Sequence, residues 1–198
     1  MAFLFGVVYY FNMNNQSNRL NLAQEFARNA HSHLHSTSVS GINRPNIHHI
    51  QEVADLVWIS GGTDDEVIAA WLHDCVEDTD ITLDGIEKVF GTSVAQIVDG
   101  LTDHRDFKDM DLPTRKGLQA ERLKGESASV RRVKIADQTS NIRSLALDPV
   151  NDMTYKECYD YICGAKMLAD ECCGVSELLD KLFDDFYKKG LERYKDSK

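Results

Sequence analysis

The stretch "AAWLHDCVEDTDIT", Ala69 to Thr82, sets a His-Asp pair and a Glu-Asp pair on what reads as one apolar helix. That helix starts at "TDDE", Thr63 to Glu66, a capping box in which a Thr and a Glu three residues later satisfy each other's backbone amides. Val67, Ala70, Trp71 and Asp74 then follow along one side. Glu77 falls one turn after His73 and Asp78 one turn after Asp74, so four groups cluster around one helix end. A solvated terminus is the plain explanation and a chemical site the sharper one. The rest of the chain decides between them.

Helical spacing extends in both directions from this segment. Leu22, Phe26, Ala27 and Ala30 make one upstream stripe, and Ile50, Val53, Ala54 and Val57 another. Downstream, "DITLDGIEKVFG" predicts a short helix ended by Gly91, and "TSVAQIVDGLTD" the next. Pro113 sits where a first helical turn begins, and Gly125 ends that element. Ser127 to Leu147 predicts a long helix stopped before Pro149. Two more, about Met153 to Cys172 and Ser176 to Lys189, close the chain. Strand signals are almost missing, with no Asn-Gly hairpin and no sustained alternation outside Gly6 to Phe11. The expected class is all-α, a compact multi-helix fold without a Rossmann or P-loop element.

The 198 residues are 42% hydrophobic, enough for one good core and a single domain. We expect a domain over residues 21–190, preceded by an extension over 1–20 and followed by a tail over 191–198. A formal net charge of −10 argues against a nucleic-acid or anionic-membrane surface, since both need a basic face. A small anionic substrate would need a local basic pocket or a metal. The apolar opening "MAFLFGVVYYFNM" is too short to span a bilayer and lacks the features of a signal peptide. Five cysteines without CxxC spacing, Cys172-Cys173 read as a core-facing pair, fit reduced thiols in a cytoplasmic protein.

A metal would account for the cluster at His73 and Asp74, because imidazole with carboxylate is a usual ligand mixture for Mn, Fe or Zn. Two ligands do not make a site, and two more candidates lie elsewhere. His49, in "PNIHHIQEVADLV", borders the apolar stripe of the preceding helix, while His48 beside it reads as surface. Asp137, in "VRRVKIADQTSNIR", is flanked by Val133 and Ile135 on the long helix. Lys134, Asp137, Asn141 and Ser144 recur at helical spacing, and a polar row facing inward must be satisfied by something. Singly, each has a plainer reading: His49 as a satisfied core histidine, Asp137 as a partner of Lys134 or Arg132. Together they form a specific pattern.

The segments "HHIQEVA", "AAWLHDCVEDTDIT", "FGTSVAQIVDGLTD", "LPTRKGLQAERL" and "VKIADQTSNIRSL" resemble successive motifs of the HD-domain hydrolases of the RelA/SpoT type. The likeness is greatest to the stand-alone small alarmone hydrolases and runs from about Leu22 to Lys189. It implies an all-α, Mn²⁺-dependent enzyme that removes the 3′-diphosphate from guanosine penta- or tetraphosphate or related nucleotides. It implies metal ligands at His49, His73, Asp74 and Asp137, and an acidic pair at Glu77 and Asp78 that orients or deprotonates the attacking water. It places substrate contacts at Arg115 or Lys116 and at Asn141, with Lys134 beside them in the polar row. Two other readings compete: an HD phosphohydrolase acting on nucleoside mono- or triphosphates, and a non-catalytic alarmone-binding module.

The chain also departs from that family. Its members carry an "HxGQxRK"-like segment after the first helix, where this chain has "HSHLHSTSVSG", His31 to Gly41, with no Arg or Lys. A typical Arg and Trp near the C-terminal end correspond to Glu157 and Gly164. Hydrolysis is therefore the firmer expectation and guanosine specificity the weaker. Adenosine-based analogues are expected to be accepted as well.

Overall fold

The computed structural model describes residues 18–37, 43–103, 105–149 and 153–197. The first thirteen residues, with the Gly6 to Phe11 segment, and the end of the His31 to Gly41 segment lie outside the described residues. Helix α1 covers 18–30 and buries Ala23 and Ala27. Leu22, expected on that stripe, faces outward instead, while Phe26 and Ala30 are half-buried against the core. Strands β1 (His35–Thr37) and β2 (Asn43–Pro45) then pair antiparallel, with Ser36 opposite Arg44. The sequence reading had no hairpin here. Three-residue strands are too short to show an alternation, and Pro45 stands at a strand end, where a missing amide costs little.

Seven helices lead to the central part of the fold and out of it. They are α2 (Ile47–Ile59), α3 (Asp64–Leu72), α4 (Cys75–Asp78), α5 (Leu83–Phe90), α6 (Thr92–Leu101), α7 (Leu112–Leu123) and α8 (Ala128–Leu147). Helices α9 (Tyr155–Cys172) and α10 (Glu177–Arg193) follow. Helix α8 is the axis, packing against α2, α3, α6, α9 and α10, and it buries residues on all its sides. Its neighbours contribute one stripe each, such as Ile50, Val53, Ala54 and Val57 of α2. Each large aliphatic buried in this way stabilises the fold by roughly 1.5–3 kcal/mol before the entropy of ordering is counted.

The capping box at Thr63 forms as the sequence indicates, with Thr63 N–H donating to Glu66 Oε2 at 2.7 Å. Glu66 is buried and also faces Arg132 Nε at 3.4 Å, which ties the start of α3 to α8. The turn before it is tight. A Cβ on Gly62 would lie 2.6 Å from Val57 Cγ1 and 2.8 Å from Val57 O, so only glycine lets α3 fold back onto α2. A second capping box, not among the sequence-based expectations, forms at Thr154 and Glu157 and starts α9.

Three boundaries differ from expectation. The Ala69–Thr82 segment is not one helix: α3 stops at Leu72, and α4 begins at Cys75. At that break His73 Nδ1 donates to Ala70 O at 2.7 Å, a contact within the last turn of α3 that fixes the ring. The last helix runs beyond residue 190, where the domain was expected to end, to Arg193. Tyr194 is buried, its hydroxyl donating to Leu145 O at 2.7 Å, so the expected tail is partly core. Finally, Cys172 is buried but Cys173 is exposed, since it lies beyond the last turn of α9. The five cysteines are free thiols, and among the described residues no helix is long and apolar enough to cross a membrane.

Candidate metal centre and the polar wall opposite

The break after Leu72 gives the site its shape. His73 keeps helical angles at the end of α3 (φ −58°, ψ −37°), Asp74 departs from them (φ −93°, ψ −5°), and both lie near His49 in the first turn of α2. One ligand atom each from His49, His73 and Asp74 lies within 4.8 Å of the other two. The imidazole centroids are 5.4 Å apart, with the rings inclined at 68°. His73 Nε2 is 3.2 Å from Asp74 Oδ1, and His49 Nε2 is 3.9 Å from Asp74 Oδ2. His48, next along α2, is exposed, as expected.

Asp137 adjoins this group through His49, whose Nε2 is 3.4 Å from Asp137 Oδ1. Both oxygens of Asp137 also have protein partners. Asn141 Nδ2 donates to Oδ1 at 2.6 Å, Gln138 Nε2 to Oδ2 at 2.8 Å, and Lys134 Nζ lies 3.3 Å from Oδ2. Asp137 is thus the partner of Lys134, as its plainer reading had it, and stands outside the three residues whose ligand atoms converge. Burial opposes its charge, but Lys134 and the two imidazoles outweigh burial and hold the carboxyl well below its ordinary range. For His49, burial likewise opposes charge, while Asp137, Asp74 and Glu52 raise its pKa.

The arrangement fits a divalent cation. His73 Nδ1 is committed to a backbone carbonyl, so Nε2 presents a lone pair, and that atom is buried with no hydrogen-bond partner. An imidazole nitrogen left unpaired among carboxylates is costly unless a cation joins it. Imidazole and carboxylate together suit a first-row transition metal.

Beyond the ligand group, Glu77 on α4 is half-buried and accepts the Asp103 amide on Oε1 at 2.6 Å. Burial raises its pKa, against the lowering effects of the Asp103 amide and Lys134. Asp78, the other member of the expected acidic pair, is exposed. The opposite wall comes from α7, α8 and α9. Lys116 is buried, donates from Nζ to Gln138 Oε1 at 2.9 Å and lies 4.2 Å from the Tyr161 ring centroid. Burial pushes its pKa down to about 7, with Asp137 opposing and Lys134 and Arg115 adding to the fall. Lys134 differs: burial opposes its charge, but Asp137, Asp103, Glu77 and Asp74 raise its pKa. Arg115 is half-buried on α7. The sequence reading did not find Gln138, Ser140, Tyr161 or Asp103. Ser140 alone had a signal, one turn beyond Asp137 on a buried helix.

Residues 23–160 match the HD domain family, and the chain belongs to it. Its likeness is more specific than that. It is 31% identical over 150 residues to the guanosine-3′,5′-bis(diphosphate) 3′-pyrophosphohydrolase MESH1 of Drosophila melanogaster, covering 74% of this chain and 82% of that one. It is 30% identical over 179 residues to MESH1 of Homo sapiens, covering 89% and 97%. Among solved structures, a metazoan orthologue of SpoT that hydrolyses ppGpp superposes with a TM-score of 0.78 at 25% identity, covering 86% of this chain and 94% of that one. The family branch is thus that of the stand-alone small alarmone hydrolases.

Proposed function

We propose that this protein is a 3′-pyrophosphohydrolase of guanosine-3′,5′-bis(diphosphate)-like nucleotides, acting in the cytoplasm and using one divalent ion, Mn²⁺ in the first instance. The observation that carries the reading is the meeting of His49, His73 and Asp74, with the buried, unpartnered His73 Nε2, beside a carboxylate of raised pKa. The names of its MESH1 relatives support the substrate class.

His49, His73 and Asp74 would hold the ion, with Asp137 as a fourth ligand on rearrangement of its amide partners. When bound, such an ion supplies Lewis acidity and eases the ionisation of water near neutral pH. Glu77 is the proton acceptor: its raised pKa keeps it basic enough to take a proton from water, and the Asp103 amide fixes Oε1. Asp78 assists from the rim. The water oxygen bonds to the phosphorus beside the ribose as the P–O3′ bond breaks, pyrophosphate departs with that oxygen, and the 3′ oxygen takes a proton from solvent to leave as a hydroxyl. Arg115 and Lys134 offset the phosphate charge that an acidic protein would otherwise repel, Lys116 offers an ammonium or amine N–H beside them, and Asn141 contacts the nucleotide.

The test is a Mn²⁺-loaded incubation with guanosine-3′,5′-bis(diphosphate), with products separated by ion exchange. Pyrophosphate and guanosine 5′-diphosphate are expected in equal amounts. Turnover of nucleoside triphosphates alone would place the chain in another HD activity, and tight binding without turnover would make it an alarmone-binding module.

A further inference from the structure

His73 and His49 are oriented by different devices. His73 leans on a backbone carbonyl, whereas His49 leans on side chains. His49 Nδ1 lies 2.9 Å from Ser140 Oγ. The Ser140 hydroxyl donates its one proton to Glu52 Oε2 at 3.1 Å, so its oxygen is left to accept the Nδ1–H of His49. Arg143 Nη1 donates to the other Glu52 oxygen, Oε1, at 2.9 Å.

The geometry is built from two facing helical turns. His49 and Glu52 are three residues apart on α2, as Ser140 and Arg143 are on α8, and the two helices pack together. Ser140 is only 2% exposed, while the Glu52 side chain is 30% exposed and lines a surface groove with His48, Gln51, Asp55 and Arg143. A buried hydroxyl thus links the inner imidazole to a carboxylate at the surface.

We propose that Glu52 and Ser140 are positioning residues for His49: the carboxylate fixes the hydroxyl, and the hydroxyl fixes the ring so that Nε2 faces Asp74 and His73. This rests on the reading of His49 as a metal ligand. An imidazole whose outer N–H is held by an anchored acceptor is set in one tautomer and is the better ligand, and removing such support typically costs 10–100-fold in metal affinity.

The test is Mn²⁺ binding to metal-stripped protein by titration calorimetry, with thermal melting run on every variant and His73→Ala as the reference for a lost ligand. Ser140→Ala is expected to weaken Mn²⁺ binding by roughly 10–100-fold. Glu52→Ala is expected to weaken it by a smaller factor, and Glu52→Gln to recover most of that loss, because an amide oxygen still accepts from Ser140. A purely structural role would lower the melting temperature without this order of affinities. If Ser140→Ala and Glu52→Ala both bind Mn²⁺ within twofold of wild type while His73→Ala does not, the relay is wrong and the metal site stands. If His73→Ala also binds normally, the metal site itself is misread.

Discussion

The two walls of the site differ in what their polar groups are doing. On the side built from α2, α3 and α4, imidazole nitrogens face carboxylates, and the buried His73 Nε2 has no partner. On the side built from α7, α8 and α9, polar groups are engaged with one another. Lys116 donates to Gln138, Gln138 and Asn141 donate to Asp137, and Lys134 pairs with the same carboxylate. The first wall is preorganised for an ion from outside. The second is a closed network that an anion meets mainly as charge, and tuning it alters electrostatics before it alters contacts.

The largest expected effects fall at the first wall. Glu77→Gln is expected to cost roughly 10²–10⁴-fold in kcat while Mn²⁺ remains bound, because the group moves a proton. His73→Ala is expected to cost more and to lose the ion as well, since no other side chain replaces its lone pair. Steady-state kinetics beside metal analysis of the purified variants checks both. Near-full activity in Glu77→Gln with metal retained would remove the assigned acid/base role and erase the contrast between the walls.

An intermediate effect belongs to the second wall. Lys116 is pushed down to about 7 from an ordinary 10.5, chiefly by burial. The unfolded chain therefore holds this proton over a range in which the folded protein has released it. Between about pH 7 and 10.5 this group makes stability rise with pH, and below that window its burial is a standing cost. Urea unfolding at pH 7 and pH 9 is expected to show wild type gaining about 2 kcal/mol relative to Lys116→Met over the same interval. Equal pH dependence in the two proteins would mean that Lys116 is not buried as a charge-averse group.

Much of this was legible in the sequence, and the reasons are local. The stripe of α2, the caps at Thr63 and Ser127, and Pro113 in the first turn of α7 each follow from short-range rules. The cluster at His73 and Asp74 was visible because charge on an apolar helix calls for an explanation. The helix break was not, because no glycine or proline marks it between Ala69 and Thr82. The interior contacts were hidden for a different reason. The Asp103 amide reaches Glu77 across 26 residues, and Tyr161 meets Lys116 only after α9 packs on α7. Gly164 in the sequence is merely a missing Trp. In the fold, a Cβ there would lie 2.7 Å from Lys116 Cγ, so the glycine makes room for the buried lysine stem.

The smallest expected effect concerns the base, where neither wall supplies an obvious discriminating group. The segment His31 to Gly41 has no Arg or Lys. Guanidinium and ammonium groups make charge-assisted bonds to phosphate or to a base carbonyl that hydroxyls do not match. Imidazoles would need to be protonated to replace them, and His31 is withdrawn besides: it is buried just after α1, with Nδ1 3.0 Å from Ala27 O of that helix. His33 is exposed and remains a candidate contact. The diphosphate would still be held by the metal and by the charges of Arg115 and Lys134, so cleavage survives while selection among bases weakens. We expect kcat/KM for adenosine-3′,5′-bis(diphosphate) to be comparable with or above that for the guanosine nucleotide, the two differing by less than about tenfold, or about 1.4 kcal/mol, if guanosine leads. Paired progress curves in Mn²⁺ at neutral pH decide it. A guanosine preference of a hundredfold or more would mean that a hydrogen bond to the guanine carbonyl or amine comes from a group outside both walls, because the loss of a specific polar contact is what produces discrimination of that size.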